Sequence, residues 1–212
     1  MQSHQIKFPR TAHYYTLGAN AANCKHLLLV MHGYGQLASK MIHKFNQLDE
    51  GYLVVAPEGF SRFYWNEEKG IVGASWMTKM DRLEEIEDYT NYLQYLLGQF
   101  QAQIPQNTPI TVLGFSQGGA TVVRWLHRLQ PNIQHIVLWG ASFPQDLDYR
   151  AQLAYWNNKD IHLVQGRQDE YITPERQQQQ ATFLHEQQLE AKMHWYEGGH
   201  AIDRPLLKKL LQ

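Results

Sequence analysis

The sequence is poor in cysteine, with only Cys24 among its 212 residues. One thiol cannot form an internal disulfide, and it excludes zinc sites built from several cysteines. A chain of this length can bury a stable core without disulfides or metals. Residues 1–10 also lack the apolar stretch that is typical of a signal peptide. The sequence therefore predicts a protein of a reducing compartment, and we expect a cytoplasmic location.

Long hydrophobic runs and an excess of charge are also missing. The apolar run at residues 27–31 is far too short to cross a bilayer, so we expect no stable membrane insertion. Lys and Arg number 19 against 20 Asp and Glu, which gives a formal net charge of −1. Without a basic excess to displace phosphate counterions, we expect no nucleic-acid partner. The oligomeric state cannot be read from these features.

The motifs of common cofactor and metal sites are absent. The sequence contains no G-x-G-x-x-G, no phosphate-binding P-loop and no H-E-x-x-H pair. We therefore expect no nucleotide cofactor and no metal. Aromatic residues, by contrast, are frequent at 12% of the chain. Such side chains often line apolar pockets, so a small-molecule site is a reasonable expectation.

Short apolar runs alternate along the chain with helical patterns, which is typical of βαβ units. We expect strands at 26–31, 52–56, 110–115, 133–138, 161–164 and 192–196, with edge strands within 4–17. We expect helices at 37–48, 81–100, 117–129, 174–189 and 205–211. The sequence therefore predicts a single α/β domain over residues 1–212, with a mostly parallel sheet and helices on both faces.

Residues 58–80 have no clear period and are rich in aromatic side chains. A long loop within a compact domain is typically functional, so we predict that this segment packs near the mouth of a functional site. We expect no larger cap than this loop. The helix that follows is predicted to begin with a capping box formed by Asp81 and Glu84.

Residues 110–120, ITVLGFSQGGA, contain the pattern G-x-S-x-G between an apolar strand and a predicted helix. In this context the serine lies at the tip of a strained strand-to-helix turn and its hydroxyl is presented beyond the sheet edge. Gly114 and Gly118 flank it because side chains there would clash within the turn. Ser116 is therefore a candidate nucleophile. The alternative is a glycine-rich turn that carries a surface serine.

A serine hydroxyl needs a general base, and the base needs a group that holds its tautomer. Asp169 and His200 follow two later strands, in the chain order Ser–Asp–His that hydrolases with such a turn use. The carboxyl ends of parallel strands share one sheet edge, where ligands bind. We predict Ser116 as the nucleophile, His200 as the general base and then acid, and Asp169 as the group that orients the imidazole. Glu170 is the alternative acid.

Two backbone N–H groups are predicted to bind the oxyanion. One belongs to Gln117, at the start of a helix whose dipole favours negative charge there. The other is expected from the loop H-G-Y-G at residues 32–35, in the N–H of Tyr34. The candidate walls of the substrate pocket are Trp76, Phe115 and Tyr171. Trp76 could equally be a core residue.

Six short motifs follow one another along the chain: H-G-Y-G (32–35), A-P-E-G (56–59), G-A-S-W-M (73–77), G-F-S-Q-G-G (114–119), G-R-Q-D-E-Y-I (166–172) and G-G-H-A-I (198–202). In this order they resemble the phospholipase/carboxylesterase family of small α/β-hydrolases, which includes the acyl-protein thioesterases. The resemblance covers nearly the whole chain. It implies an α/β-hydrolase fold and hydrolysis of carboxylic esters, thioesters or lysophospholipids without metal or organic cofactor. It also implies a Ser116–Asp169–His200 triad, with Gln117 and Tyr34 as oxyanion donors.

The chain departs from this family in one motif. The family usually has H-G-L-G-D where this chain has H-G-Y-G-Q at residues 32–36. The bulkier Tyr34 and the missing acid leave the shape of the pocket, and therefore the substrate, open. A serine esterase acting on small-molecule esters or thioesters is the leading hypothesis. The alternatives are an acyltransferase with the same triad and a non-catalytic binding protein on the same fold.

Overall fold

A seven-stranded sheet forms the centre of the molecule in the computed structural model, which describes residues 1–211. Its strand order is β1-β3-β2-β6-β7-β8-β9. These strands are β1 (Tyr14–Gly18), β2 (His26–Met31), β3 (Tyr52–Pro57), β6 (Ile110–Phe115), β7 (His135–Trp139), β8 (Asp160–Gly166) and β9 (Lys192–Tyr196). β1 runs antiparallel to β3, and every other pair is parallel. The predicted mostly parallel sheet is confirmed.

Helices cover both faces of this sheet, as predicted. They are α1 (Ala38–Met41), α2 (Arg82–Gln101), α3 (Gln117–Leu129), α4 (Leu153–Trp156), α5 (Pro174–Gln187) and α6 (Arg204–Leu211). α2 and α3 pack with Leu29 and Val112 of the sheet in one core cluster, while α1 and α6 pack with Leu28 and Leu113 in the other. Alternate residues of each strand thus serve opposite cores, which explains the continuous apolar runs. No helix within residues 1–211 combines the length and hydrophobicity needed to cross a membrane.

The segment at residues 58–80, predicted as a loop, contains a β-hairpin. Its strands β4 (Ser61–Asn66) and β5 (Ile71–Ser75) pair antiparallel and form a second, two-stranded sheet. The prediction of a loop was wrong because the period-2 signal is broken by a register shift between Tyr64 and Asn66. β4 also lies partly exposed on both faces, so its side chains do not alternate cleanly between apolar and polar.

Two helices differ from the sequence expectation. The helix expected at 37–48 is reduced to α1 and a 3₁₀ turn at Ile42–Phe45. α2 begins where expected, but the predicted capping box is wrong. Asp81 has a left-handed backbone (φ 48°, ψ 36°) and its side chain caps no N–H group. An N-cap carboxylate reaches the first turn from an extended backbone, which Asp81 does not adopt.

Helix α3 approaches β2 and β6 so closely that glycine is required at their contact. A Cβ atom at Gly118 would lie 2.1 Å from the Met31 carbonyl oxygen, and one at Gly114 would lie 2.3 Å from the Gly118 carbonyl oxygen. Both neighbours are backbone atoms, which cannot move aside as a flexible side chain can. The two glycines therefore set the distance between α3 and the sheet at the turn that carries Ser116.

We expect Gly118→Ala to destabilise the fold by about 1–3 kcal/mol, because α3 must move away from β2 to admit the methyl group. Gly98→Ala is the matched control, since Gly98 lies in α2 with no atom within 4 Å of its virtual Cβ. That change should stabilise the protein by about 0.5–1 kcal/mol through helix propensity. Urea unfolding of both variants measures the two shifts. Equal effects at the two positions would contradict the close approach.

Candidate active site

Ser116 lies in the turn between β6 and α3, at the carboxyl edge of the sheet. Its backbone angles, φ 54° and ψ −119°, are sparsely populated by residues with a side chain. The Ser116 N–H donates to the Trp139 carbonyl at 2.9 Å, and the Ser116 carbonyl accepts from the Gly119 N–H at 2.9 Å. These bonds from β7 and α3 hold the strained turn that the sequence pattern predicts.

Asp169 and His200 lie in contact after β8 and β9. The His200 Nδ1 atom is 2.7 Å from the Asp169 Oδ2 atom, and the Asp169 side chain has no exposed surface. The other carboxylate oxygen accepts the Tyr171 N–H at 2.9 Å. Because Nδ1 faces the carboxylate, it carries the imidazole proton and Nε2 is left for a second partner. Glu170, the alternative acid, is exposed, and within residues 1–211 it forms no hydrogen bond or ion pair with His200.

The loop that carries His200 is fixed by two aromatic side chains of the core. The Trp139 indole N–H donates to the Ala201 carbonyl at 2.9 Å, and the Tyr196 hydroxyl donates to the Gly199 carbonyl at 2.7 Å. Gly140 has φ +56°, and a Cβ atom there would lie 2.9 Å from the His200 Cε1 atom. The imidazole therefore occupies space that any side chain at position 140 would fill.

Two predicted pocket residues flank the imidazole of His200. The Phe115 ring lies 4.8 Å from the imidazole, measured between centroids, and the Tyr171 ring lies at the same distance on an edge. Phe115 is buried, whereas Tyr171 is 53% exposed and accessible to a ligand. Since Phe115 directly precedes Ser116, its contact with His200 brings the imidazole beside the serine turn.

The loop at residues 32–35 begins at the end of β2 and passes next to Ser116. A Cβ atom at Gly33 would lie 3.2 Å from the Ser116 Cβ atom. The side chain of Tyr34 is 51% exposed and stacks on Phe63 of the hairpin at 5.2 Å between centroids. Its ring therefore packs against the hairpin, away from the protein core. Gly35 takes φ +73° to turn the chain.

Three hydrogen bonds join this loop to the β4–β5 hairpin. The Gly35 N–H donates to the Ala74 carbonyl at 2.8 Å, and the Ala74 N–H donates to the Gln36 carbonyl at 3.2 Å. The Trp65 indole N–H donates to the Gly35 carbonyl at 2.7 Å. The hairpin thus lies beside the candidate site, and it supports the loop that contains Tyr34.

His32 is fully buried beneath the loop and is held as a neutral imidazole. Its Nε2 atom accepts the Gly59 N–H at 3.0 Å, so the proton is on Nδ1, which donates to the Gly33 carbonyl at 2.8 Å. Burial lowers the pKa of His32 below its ordinary value, while the Gly33 carbonyl and the Glu58 charge act in the opposite direction. Both ring nitrogens are therefore engaged by the backbone, and His32 serves to hold the loop in place.

The side-chain amide of Gln117 ties the start of α3 to the end of β5. Its Oε1 atom accepts the Trp76 N–H at 3.0 Å, and its Nε2 atom donates to the Met77 carbonyl at 2.8 Å. Trp76 in turn donates its indole N–H to the His32 carbonyl at 2.9 Å. Trp76 is only 2% exposed, so it supports the loop from below and offers almost no surface to a substrate.

No group of three or more His, Cys, Asp or Glu side chains within residues 1–211 is placed to hold a metal ion. A strained serine, an imidazole aligned by a buried carboxylate and backbone N–H groups at a helix start are the components of nucleophilic acyl transfer.

Several residues that organise the site were not found from the sequence. The sequence places Tyr196 at the end of a predicted strand and Trp139 directly after one, and it indicates no role for the side chain of Gln117. Gly140 was visible as a glycine directly after a strand, which is a signal for close backbone approach. The side-chain hydrogen bonds of Trp139 and Gln117 reach residues 40 to 62 positions away, and Tyr196 donates within a turn, so no local pattern indicates these bonds.

Comparison with known proteins adds a family and a set of similar folds. A family model described as phospholipase/carboxylesterase matches residues 16–212. Acyl-protein thioesterase 2 of Zea mays is 16% identical over 95% of this chain and 98% of that chain, with a TM-score of 0.74. A carboxylesterase from Mesorhizobium loti is 19% identical over 94% of each chain, with a TM-score of 0.71. Esterase PE8 is 20% identical over 95% of this chain and 98% of that chain, with a TM-score of 0.73. No curated protein matches the chain.

We expect the stability of the protein to fall as the pH drops below about 6.5, the ordinary pKa of histidine. A lowered folded-state pKa means that the unfolded chain binds the proton of His32 more tightly, so acid favours unfolding. His32→Gln should be less stable at pH 7.5 but should lose less stability between pH 7.5 and pH 5. His43→Gln, which removes an exposed imidazole, is the control. Urea unfolding at several pH values gives the slopes, which can differ by up to about 1.4 kcal/mol per pH unit.

Proposed function

The chain belongs to the phospholipase/carboxylesterase family, and we propose that it hydrolyses carboxylic esters or thioesters of small molecules through an acyl-enzyme on Ser116. The observation that carries this proposal is the hydrogen bond of 2.7 Å between His200 Nδ1 and Asp169 Oδ2. It leaves the Nε2 atom as the proton acceptor of an imidazole that lies beside the Ser116 turn. A general base in this tautomer is what serine acylation requires.

In the first half of the reaction, the Ser116 Oγ atom attacks the carbonyl carbon while His200 Nε2 takes the hydroxyl proton. The tetrahedral intermediate collapses, the bond to the leaving alcohol or thiol breaks, and His200 returns the proton to that group. Water then attacks the acyl-enzyme with the same base. The carboxylic acid leaves and Ser116 regains its proton. Asp169 keeps its negative charge throughout and stabilises the imidazolium formed in each half.

The oxyanion of each intermediate is proposed to accept hydrogen bonds from the N–H groups of Gln117 and Tyr34. Gln117 opens α3, so its N–H has no carbonyl one turn earlier within the helix. The loop of Tyr34 passes within contact distance of Ser116 and is anchored by the hairpin. Because the fold already holds both donors in position, they need no rearrangement when the negative charge develops. This preorganisation is how they stabilise the transition state.

The first prediction of this proposal concerns covalent labelling. A fluorophosphonate probe should label the native protein on Ser116, and Ser116→Ala should abolish labelling.

Hydrolysis of p-nitrophenyl butyrate should fall by several orders of magnitude in Ser116→Ala and in His200→Ala, and by less in Asp169→Asn. Circular dichroism of each variant checks that the fold is retained. Labelling that persists in Ser116→Ala would refute the proposed nucleophile, and a native protein without labelling or turnover would favour a binding function.

The second prediction separates the backbone of Tyr34 from its side chain. Tyr34→Phe keeps the N–H, so kcat should stay within about twofold of wild type. Tyr34→Pro removes the N–H, and loss of one oxyanion donor typically lowers kcat by about 10²–10³-fold. Fluorophosphonate labelling of the folded Tyr34→Pro variant should be slowed as well. If Tyr34→Phe alone abolished turnover, the side chain and not the amide would be the functional group.

A further inference from the structure

A cavity of about 670 Å³ lies between α1 and the β4–β5 hairpin. Its apolar walls include Met41, Trp65 and Ile71, and two cationic side chains, Lys40 and Lys44, lie along the same cavity. Sites for small molecules commonly have volumes of about 300–1,000 Å³, and they combine apolar walls with a few polar groups. The cavity therefore has the size and composition of a ligand site.

The cavity is continuous with the loop that passes Ser116. Gly35 and Gln36 line it, and they directly follow Tyr34, the proposed oxyanion donor. A Cβ atom at Gly33, two residues before Gly35, would lie 3.2 Å from the Ser116 Cβ atom. The three steps from Gly33 to Gln36 span at most about 11 Å even when fully extended. A substrate attached at Ser116 can therefore reach the cavity with an arm of several methylene groups or one ring.

Two of the apolar residues that line this cavity are exposed to solvent. Trp65 is 55% exposed and Ile71 is 50% exposed, on neighbouring parts of the hairpin. Exposed apolar surface of this kind is costly in water and commonly marks a binding site when it is concave and contiguous. A ligand arm that covered Trp65 and Ile71 would remove this surface from water.

The two lysines give the cavity a positive charge that no ion pair within residues 1–211 neutralises. Lys40 and Lys44 lie four residues apart, in α1 and the 3₁₀ turn that follows it. Within residues 1–211, neither ammonium group has a carboxylate oxygen within 4 Å. Two adjacent unpaired ammonium groups favour a negatively charged ligand group between them.

We propose, building on the esterase function proposed above, that this cavity binds the remote arm of the substrate, an apolar chain or ring that ends in a carboxylate. The apolar part of the arm covers Trp65 and Ile71, and the terminal carboxylate lies between Lys40 and Lys44. The preferred substrates are therefore esters that carry a free carboxylate at the end of their acyl or alcohol arm. The positive charge acts on binding and orientation, and the bond-breaking steps at Ser116 are unchanged.

An anionic membrane surface is a weaker candidate for the same patch. The turn of the hairpin carries Glu67 and Glu68, both exposed, beside Lys69. Two carboxylates at the tip would be repelled by anionic lipid headgroups if the hairpin entered the interface. A soluble carboxylate that enters the cavity from the side avoids this repulsion, since the lysines lie on α1 and the 3₁₀ turn.

The test compares esters of equal length with and without a terminal carboxylate. On the acyl side, the pair is p-nitrophenyl hydrogen adipate and p-nitrophenyl hexanoate. On the alcohol side, it is 6-acetoxyhexanoate and hexyl acetate. In one pair the anionic ester should have a kcat/KM about tenfold higher, mainly through KM, and the preference should shrink as salt is added. The pair that responds identifies the arm that occupies the cavity.

Lys40→Gln and Lys44→Gln should each lower kcat/KM for the preferred anionic ester by about three- to tenfold, with the neutral ester unchanged within about twofold. The double variant should have no charge preference. Lys69→Gln is the matched control. Lys69 lies in the turn of the neighbouring hairpin and does not line the cavity, so this variant should behave as wild type. Equal rates for anionic and neutral esters, or a preference that survives the double variant, would overturn the proposal.

A binding measurement keeps this test independent of turnover. Calorimetry on Ser116→Ala should detect binding of monoethyl adipate or of 6-acetoxyhexanoate, but not of neutral diethyl adipate, and the binding should be lost in the Lys40→Gln/Lys44→Gln double variant. If no ester is hydrolysed but this lysine-dependent binding is seen, the esterase proposal fails and the cavity assignment stands. Absence of binding by both carboxylates would overturn the assignment, as would binding only to anionic lipid vesicles.

Discussion

The close approach of α3 to β2 is the constraint on which the candidate site depends. The backbone of Gly118 lies against the Met31 carbonyl with no room for a methyl group between them. This contact fixes the turn of Ser116 relative to the end of β2, and the H-G-Y-G loop begins at that same end. A single backbone contact therefore positions both the serine and the loop of the proposed oxyanion donor. Because neither partner has rotamers to adjust, the geometry is set when the sheet and helix pack.

Around this contact, buried polar side chains hold the loops in place through hydrogen bonds to the loop backbone. The amide of Gln117, the indole of Trp76 and the imidazole of His32 form a continuous series of hydrogen bonds from α3 to the end of β2. Each of these groups would be costly to bury without partners, and each receives them from the backbone of a loop. The segments at the carboxyl edge are thus held by desolvated hydrogen bonds, which are stronger than bonds made in water.

The sequence was sufficient for the central strands because parallel strands buried on both faces are continuous apolar runs, and β2 and β6 have the predicted ends. It was sufficient for the serine turn because sterics there demand glycine. It favoured Asp169 but left Glu170 as an alternative, since adjacent acids differ mainly in where the turn directs them. The hairpin was missed because its bulge and two-sided exposure remove the alternation that identifies a strand. The hydrogen bonds of Trp139 and Tyr196 depend on tertiary contacts that residue type does not encode.

The H-G-Y-G loop is attached to the hairpin by the hydrogen bond from the Trp65 indole to the Gly35 carbonyl. The residues of the site therefore depend on two structural units. Ser116, Asp169 and His200 are carried by the seven-stranded sheet, whereas the loop of Tyr34 is also bonded to a two-stranded ribbon that lies outside it. Such a ribbon has little independent stability and opens more readily than the buried sheet. On warming, the proposed oxyanion donor would therefore lose its alignment while the sheet and its three side chains remained folded. Thermal inactivation would then precede thermal unfolding, and its onset would be set by the docking of the ribbon.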